Sequence, residues 1–532
     1  MELQKATIYC PSTITSVHTN NMTKIFLYQK DYTEKGLDRL FLWSNGAGVE
    51  VTALNLVEEQ EELICHDYWL IAPSIYKAAG KLPGHVIDIE DFRLATSGQK
   101  TERAERERRT VVDSLSDLCD ESLLDKYIDI FDRRSEFDAS AFFLIAPYIA
   151  QQFERLVESA KNAGELDRYL KIEVPVFNLL TFSAVKGIRV DTRKLREHKD
   201  NIEHEYYMAL KNFAVAYNLP FEVPKEEDVR SYLEPRGFDC DGVSLDYILK
   251  FVPMQDNFAT DLLALKRLAE SRFVLAAMPV NRKRAFPVVD IFGSITSRIY
   301  YRDPAIQNLA KRHRDIVVPD DGLEMTYVDY DQFEVGIMAA LSQDPNLLRL
   351  YGADDLYIEA SNSIFGDGSK RKLAKRLFLS YAYGMKRKGL LDAAYSHGAR
   401  RTAVRDFFDQ FAVYENWKTE IYKRYETDGK IGTSEGNFML RKTSGPLSAK
   451  EQRSSVSQVV QGTASLIFKK ALLRLRDVPD IDFKIPMHDA VLVQHPIGFD
   501  KSILTRMFCE AMTEHFGEAI TGKASLESYW GE

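Results

Sequence analysis

The feature that most constrains this chain is a pair of apolar, strand-like runs that carry aspartate and lie far apart in sequence. One is Met325-Thr-Tyr-Val-Asp-Tyr, with Asp329 near its end; the other is Lys484-Ile-Pro-Met-His-Asp-Ala-Val-Leu-Val, centred on Asp489. A helical region runs between them from about Gln332 to Glu426. Strands that flank a long helical insertion and carry acids at their ends predict a sheet with a cleft above it. A helix opening near Gln332 sets Asp329 beside a helix N-terminus, where a lone aspartate is most often a cap. The apolar runs around His488-Asp489 read as a β-hairpin with Asp489 near its tip, where a lone aspartate is usually a turn residue. Two carboxylates from separate strands are, however, what two divalent ions about 3.5–4 Å apart require. One ion then activates a hydroxyl, and the other neutralises a triphosphate and its leaving oxygen.

A third element lies between the two. In Arg371-Lys-Leu-Ala-Lys-Arg-Leu-Phe-Leu-Ser-Tyr-Ala-Tyr-Gly, residues Arg371, Lys375, Leu379 and Tyr383 fall at successive i+4 positions and form one helical stripe. Two cations at one end and an apolar, aromatic half at the other suit a nucleotide, with phosphates on Arg371 and Lys375 and base and sugar against Leu379 and Tyr383. The plain alternative is an amphipathic surface helix. Gly384 ends the stripe where the chain can bend. The overall charge of -9, from 70 basic and 79 acidic residues, argues weakly against nucleic-acid binding. The basic residues are gathered, though. Eight lie between Lys370 and Lys388 with no acid among them, and eight more between Asn281 and Asp320 against four aspartates. Both runs are interleaved with apolar and aromatic residues, which favours contact with a polyanion.

A length of 532 residues predicts three or four domains, or one large enzyme with subdomains. With 45% apolar residues a sizeable core is available and wholesale disorder is excluded. The most apolar stretch, Ala139 to Ala150, has 12 residues and contains Pro147, too short and broken to cross a bilayer. The first residues lack the basic start and apolar run of a secretory signal. Cys10, Cys65, Cys119, Cys240 and Cys509 form no CxxC pair and read as buried thiols in a reducing compartment, which predicts a cytoplasmic protein. The first ~170 residues mix short apolar runs, Lys24 to Tyr28 and Tyr68 to Ala72, with an alternating-charge stretch, Glu102 to Arg109, that reads as an exposed helix or linker. From about Val174 the character is helical. Leu179 to Lys211 and Asp261 to Met278 have apolar residues at three-and-four spacing, around a turn-rich piece with Pro220, Pro224, Pro235, Gly237 and Gly242. Two long helices around a small insert predict a projecting arm.

Taken in this order, the three elements resemble motifs A, B and C of the A-family DNA polymerases, the bacterial polymerase I type. Motif A, Asp-Tyr-Ser-Gln-Ile-Glu, is matched by Asp329-Tyr-Asp-Gln-Phe-Glu334. Motif B, Arg-x3-Lys-x3-Phe-x3-Tyr-Gly, is matched by Arg371, Lys375, Leu379, Tyr383 and Gly384, and motif C, His-Asp-Glu, by His488-Asp489 and then Ala490. Thr296-Ser-Arg-Ile-Tyr-Tyr-Arg-Asp-Pro-Ala-Ile-Gln-Asn is similar to the family's Thr-Gly-Arg…Asp-Pro-Asn-Leu-Gln-Asn element. Arg453…Gln461-Gly-Thr-Ala and Tyr529-Trp-Gly resemble its Arg…Gln-Gly-Thr-Ala helix and closing segment. The likeness runs from about Val174 onward, roughly two thirds of the chain.

The resemblance implies an α+β, right-hand polymerase fold, with an antiparallel palm sheet and helical fingers and thumb, preceded by a small α/β exonuclease-like domain. It implies an N-terminal domain at 1–173, thumb at 174–285, palm at 286–349 and 441–532, and fingers at 350–440. Activity would be addition of dNTPs to a primer 3′-hydroxyl. Asp329, Asp489 and the Tyr330 carbonyl would hold two Mg²⁺ ions, with Mn²⁺ as a substitute. Lys375 would serve as catalytic proton donor, and Arg371, Lys375, Leu379, Tyr383, Glu334 and Gln332 would bind dNTP. Glu334, packed on Tyr383, resembles the family's sugar gate against a ribose 2′-oxygen; similar single-subunit RNA polymerases carry glycine there. Arg298, Gln307, Asn308, Arg453, Gln461 and His488 match positions that contact primer–template backbone and minor groove. Expected partners are primer–template DNA, dNTPs and replisome proteins, with no membrane and a monomeric chain. A catalytically weak primer–template binding protein is the alternative.

Departures are informative. Leu379 replaces an aromatic residue, Ala490 the third motif C acid, and Tyr357 a phosphate-contacting histidine, a pattern similar to phage or mobile-element members. The N-terminal third lacks the Asp-x-Glu on its first strand and the Tyr-x3-Asp that exonuclease chemistry needs; Asp88-Ile-Glu90 has the spacing but comes late. The expectation is a shrunken exonuclease-like fold without editing activity.

Overall fold

The computed structural model describes residues 24–33, 35–99, 111–240, 244–252, 254–517 and 519–530. Cys10, Gly242 and the Glu102–Arg109 stretch lie outside them.

The N-terminal part is built on five strands: β1 (Lys24–Gln29), β2 (Arg39–Ser44), β3 (Ala47–Val51), β4 (Leu63–Cys65) and β5 (Val86–Asp88), in the order β3-β2-β1-β4-β5. β1, β2 and β3 form an antiparallel meander, while β4 runs parallel to β1 and β5 parallel to β4. Ile25 to Tyr28, Leu63 to Cys65 and Val86 to Ile87 are fully buried, as strands covered on both faces must be. The apolar run after Asp67 is a helix, Tyr68–Ala79, and a second helix, Ile89–Thr96, follows β5. The Ala146–Ala163 helix packs on β1 and β4, with Pro147 in its first turn, where the missing N–H has no intrahelical partner to lose. Among the described residues no helix is long and apolar enough to cross a membrane.

The spacing over Leu179–Lys211 does not give one long helix. The chain breaks at Gly187 (φ +74), leaving helices Val174–Lys186 and Thr192–Tyr217. The break lets β6 (Ile188–Arg189) pair with β7 (Arg284–Ala285), and a side chain at Gly187 would run into the Phe286 ring, 2.6 Å from an added Cβ. Asp191 restarts the helix by accepting from the Arg193 and Lys194 N–H groups. The Thr192–Tyr217 helix then packs along Phe258–Ala277 to form the expected arm. The arm has an apolar cluster of its own, including Phe213, Tyr232, Leu233, Phe258 and Leu262. Its tip, the Leu245–Phe251 helix, reaches the helical block beyond residue 350. Arg376 Nη1 donates to Lys250 O at 2.7 Å, Tyr247 Oη donates to Gly389 O at 3.1 Å, and Phe251 is buried in the main core.

After the short pair β8 (Val288–Asp290) and β9 (Tyr300–Arg302) comes β10 (Leu323–Tyr330). The hairpin β11 (Lys430–Thr433) and β12 (Gly436–Leu440) follows the helical block, and β13 (Asp482–Pro486), β14 (Ala490–Pro496) and β15 (Ala524–Glu527) complete an antiparallel sheet in the order β13-β14-β10-β15. The 28-residue helix Ala449–Arg476, opened by a Ser448–Glu451 capping box, packs on helices Phe333–Ser342 and Ser502–His515. The mixed α+β architecture matches the sequence expectation. Cys65 and Cys240 are buried, whereas Cys119 and Cys509 are half-buried, and none of these four forms a disulfide.

Candidate active site

Strand register unites the two aspartates. Asp329 lies opposite Ala490 across β10 and β14, and the Tyr330 N–H donates to the Asp489 carbonyl at 3.1 Å. The Met487 N–H donates to Ala490 O at 2.7 Å, closing the β13–β14 turn with His488 and Asp489 at its tip. Carboxylates remote in sequence thus become cross-strand neighbours. Burial, followed by repulsion from Asp489, Glu527 and Asp331, pushes Asp329 up to about 8. Burial and then Glu334 raise Asp489, against the pull of Arg298 and Lys375. Asp329 Oδ1 is buried without a hydrogen-bond partner. Two crowded carboxylates, one with an orphaned oxygen, suit a hard divalent cation. Among the described residues, no group of three or more His, Cys, Asp and Glu side chains is arranged to hold one. Further ligands would therefore be backbone, substrate or water oxygens. The Tyr330 side chain is not available, since it is buried with its hydroxyl donating to Phe508 O at 2.9 Å.

Beside the aspartates, Tyr383 Oη donates to Glu334 Oε2 at 2.6 Å, and Arg298 Nη2 donates to Glu334 Oε1 at 3.0 Å. Glu334 opens the Phe333–Ser342 helix just after Gln332, which adopts a left-handed turn (φ +54) between strand and helix. Tyr383 caps the Arg371–Ala382 helix, and Gly384 (φ +96) turns the chain away. The helix carries the expected stripe. Arg371 and Lys375 are exposed, and Lys375 is near enough for its charge to act on Asp489. Leu379 is half-buried against the main core. Arg371 Nε pairs with Asp355 Oδ2 at 2.6 Å, and the Tyr357 ring lies 5.6 Å from the Arg371 guanidinium and 5.1 Å from Lys375 Nζ. Gln332 Nε2 donates to Asp354 O at 3.1 Å.

Arg298, Tyr383, Arg453 and Gln461 line one cavity of about 410 Å³, with Tyr300 and Gln458 beside them. His488 packs edge-on against Tyr300 at 5.3 Å; burial and then Arg298 hold it down to about 4, so the ring is neutral at pH 7. Asn308 is exposed. Gln307 does not join this group. It is buried, donates to Tyr301 O at 3.1 Å and accepts from Tyr301 N at 3.2 Å, so its amide braces β9 and is not free for a ligand. Sequence reasoning missed Asp355 as the partner of Arg371, although it lies two residues before Tyr357. It also missed Glu527, which register sets opposite Tyr327, and whose only trace in sequence is a short strand-like run near the end.

In the N-terminal sheet, Asp88 Oδ1 accepts from the Glu90 and Asp91 N–H groups at 3.0 and 3.2 Å, and Oδ2 from the Tyr68 N–H at 2.8 Å. Glu90 Oε2 accepts from the Asp67 N–H at 3.3 Å. Asp88 is a helix cap.

The family model described as DNA polymerase family A matches residues 255–517, the span holding both aspartates and the cationic helix. The chain belongs to DNA polymerase family A. Among similar family A proteins, DNA polymerase I of Chloroflexus aurantiacus is 23% identical over 378 residues, covering 63% of this chain and 39% of that protein. DNA polymerase I of Bacillus caldotenax is 21% identical over 411 residues, 68% of this chain and 45% of that one. This family A chain thus spans less than half the length of either. The POL domain of Pol1 from M. smegmatis, solved in complex with DNA primer-template and dNTP, superposes with a TM-score of 0.70 at 17% identity over 95% of both chains. The two chains share this mixed α+β fold.

Proposed function

We propose that the chain is a template-directed DNA polymerase that adds dNTPs to a primer 3′-hydroxyl. The observation that carries this reading is the meeting of Asp329 and Asp489 beneath a helix that presents Arg371 and Lys375, with Glu334 and Tyr383 joined at its far end. Asp329, Asp489 and the Tyr330 carbonyl would hold two Mg²⁺ ions, for which Mn²⁺ can substitute. When bound, such ions lower the pKa of the attacking hydroxyl and neutralise charge on the triphosphate. The chain's own groups do the rest. Arg371 and Lys375 grip the phosphates, and Lys375 donates a proton to the departing pyrophosphate. Glu334, held by Tyr383 and Arg298, fills the space a 2′-hydroxyl needs and favours deoxynucleotides. Arg298, Asn308, Arg453, Gln461 and His488 follow the primer–template; a neutral His488 can donate or accept in the minor groove. The M. smegmatis neighbour's primer-template and dNTP support this choice of ligands.

The corresponding boundaries are 174–285 for the thumb, 286–349 and 441–532 for the palm, and 350–440 for the fingers. Residues 1–173 form an exonuclease-like domain without proofreading, a reading supported by the engagement of both Asp88 oxygens with backbone N–H groups.

The test is extension of a primed template with dNTPs or rNTPs, comparing the parent with Asp329→Ala and Asp489→Ala. Extension with dNTPs that both substitutions abolish supports the reading. Tight primer–template binding with no extension by the parent would instead identify a binding protein.

A further inference from the structure

Ser297 adopts a left-handed backbone (φ +59), a conformation that a residue with a β-carbon takes only where its surroundings hold it there. The similar family element has glycine at this place, between the threonine and the arginine. What holds Ser297 is a buried polar chain. Its hydroxyl donates to Glu173 Oε1 at 2.9 Å and accepts from Lys469 Nζ at 2.6 Å. Lys469 uses its other two donors on Glu173 Oε2 at 2.5 Å and Ile291 O at 2.9 Å. Glu173 also receives Arg168 Nη1, and Arg168 donates onward to Glu165 Oε2 at 2.9 Å and to Ala95 O at 2.6 Å, in the helix that follows β5. Ser297, Glu173, Lys469, Arg168 and Glu165 are all at most 3% exposed. Arg168 and Lys469 are each hydrogen-bonded to a buried carboxylate, the condition under which buried ions are tolerated, and the buried Asp290 carboxylate also acts on Lys469. The next residue after Ser297 is Arg298, which reaches Glu334 and, through it, Tyr383.

We infer that Ser297 is a positioning residue: its hydroxyl, clamped between Glu173 and Lys469, fixes the turn that aims Arg298 at Glu334. Through this turn the N-terminal domain braces the sugar-selecting pair, a task that needs no nuclease chemistry. The inference rests on the proposed nucleotide-adding function for its catalytic consequence but not for its geometry.

Ser297→Gly is the informative variant, because glycine accepts φ +59 freely and only the hydroxyl is lost. Two measurements separate the two readings. The first is a double-mutant cycle in urea unfolding with Ser297→Gly and Glu334→Gln, which needs no activity. Positioning predicts that the effect of Glu334→Gln on the unfolding equilibrium shrinks by at least threefold in the Ser297→Gly background; additive effects overturn it. The second is the ratio of dNTP to rNTP incorporation. Positioning predicts a drop of at least fivefold in Ser297→Gly, with KM for dNTP rising more than kcat falls, and a partial return of the ratio in Ser297→Asn, whose amide tolerates the left-handed region and can donate to Glu173. An unchanged ratio in Ser297→Gly overturns the proposal. A parent that extends no primer but shows the coupling sinks the functional reading and leaves the positioning role in place.

Discussion

The Tyr383 hydroxyl donates to Glu334 at 2.6 Å, tying the end of the cationic helix to the first turn of the helix that follows the strand of Asp329. Glu334→Ala removes both the carboxylate and its bulk. The expected result is a rise in ribonucleotide incorporation by about 10–100-fold relative to deoxynucleotide, in the range that filling or emptying a small steric pocket achieves. Competition between dATP and rATP on a primed template measures it, and an unchanged ratio removes Glu334 from the gate.

Asp329 also predicts a pH dependence of stability. Its folded pKa near 8 lies far above the ordinary 3.8. Between those values the folded state keeps a proton that the unfolded state has released, so the contribution is full below about pH 4 and is lost as pH rises through 8. Folding stability should fall across that window by on the order of a few kcal/mol. Asp329→Asn should flatten the slope in urea unfolding while abolishing extension. Millimolar Mg²⁺ should raise the parent's unfolding midpoint at pH 8 and leave that of the variant unchanged.

Arg371 rests on Asp355, a partly exposed pair of the kind worth only about 0–1 kcal/mol. Asp355 also caps the Leu356–Phe365 helix, a duty that asparagine performs equally well. Asp355→Asn therefore frees Arg371 without unwinding the helix, and KM for dNTP should fall about threefold in steady-state extension. A rise would mean that Asp355 orients Arg371 productively.

Leu379 stands where an aromatic platform would stack on a nucleotide. Leu379→Phe should add about 1 kcal/mol of stacking, roughly a fivefold drop in KM for dNTP. Kinetics indistinguishable from the parent would show that position 379 does not face the nucleotide.

Asp88→Ala should lower folding stability by about 2 kcal/mol, because three backbone N–H groups lose their acceptor. No single-strand degradation is expected from parent or variant. A labelled oligonucleotide degraded by the parent and spared by Asp88→Ala would restore an editing role to this domain.

The site was legible wherever chemistry is written in consecutive residues or in helical period. Asp329 with Glu334, His488 with Asp489, and the stripe from Arg371 to Tyr383 could be read because strand ends and i+4 spacing fix what they face. Contacts made by tertiary packing were not legible. Gln307 sits in a matched motif and yet turns inward to the Tyr301 backbone, because the chain after β9 folds back on that strand. The break at Gly187 was hidden because apolar spacing continued across it, and only pairing with β7 makes the kink favourable. The ion chain through Arg168, Glu173 and Lys469 joins residues nearly 300 positions apart, which no local pattern records.

The arm is rooted in the main body's interior through Leu195, Ile202, Val274 and Leu275, and its tip reaches that interior again through Phe251. The tip is held to the helical block by the bonds from Arg376 to Lys250 O and from Tyr247 to Gly389 O, and by the buried Phe251 ring. Under the proposed function, a duplex that enters from the side would do so by parting this contact, because the root of the arm is anchored in the core.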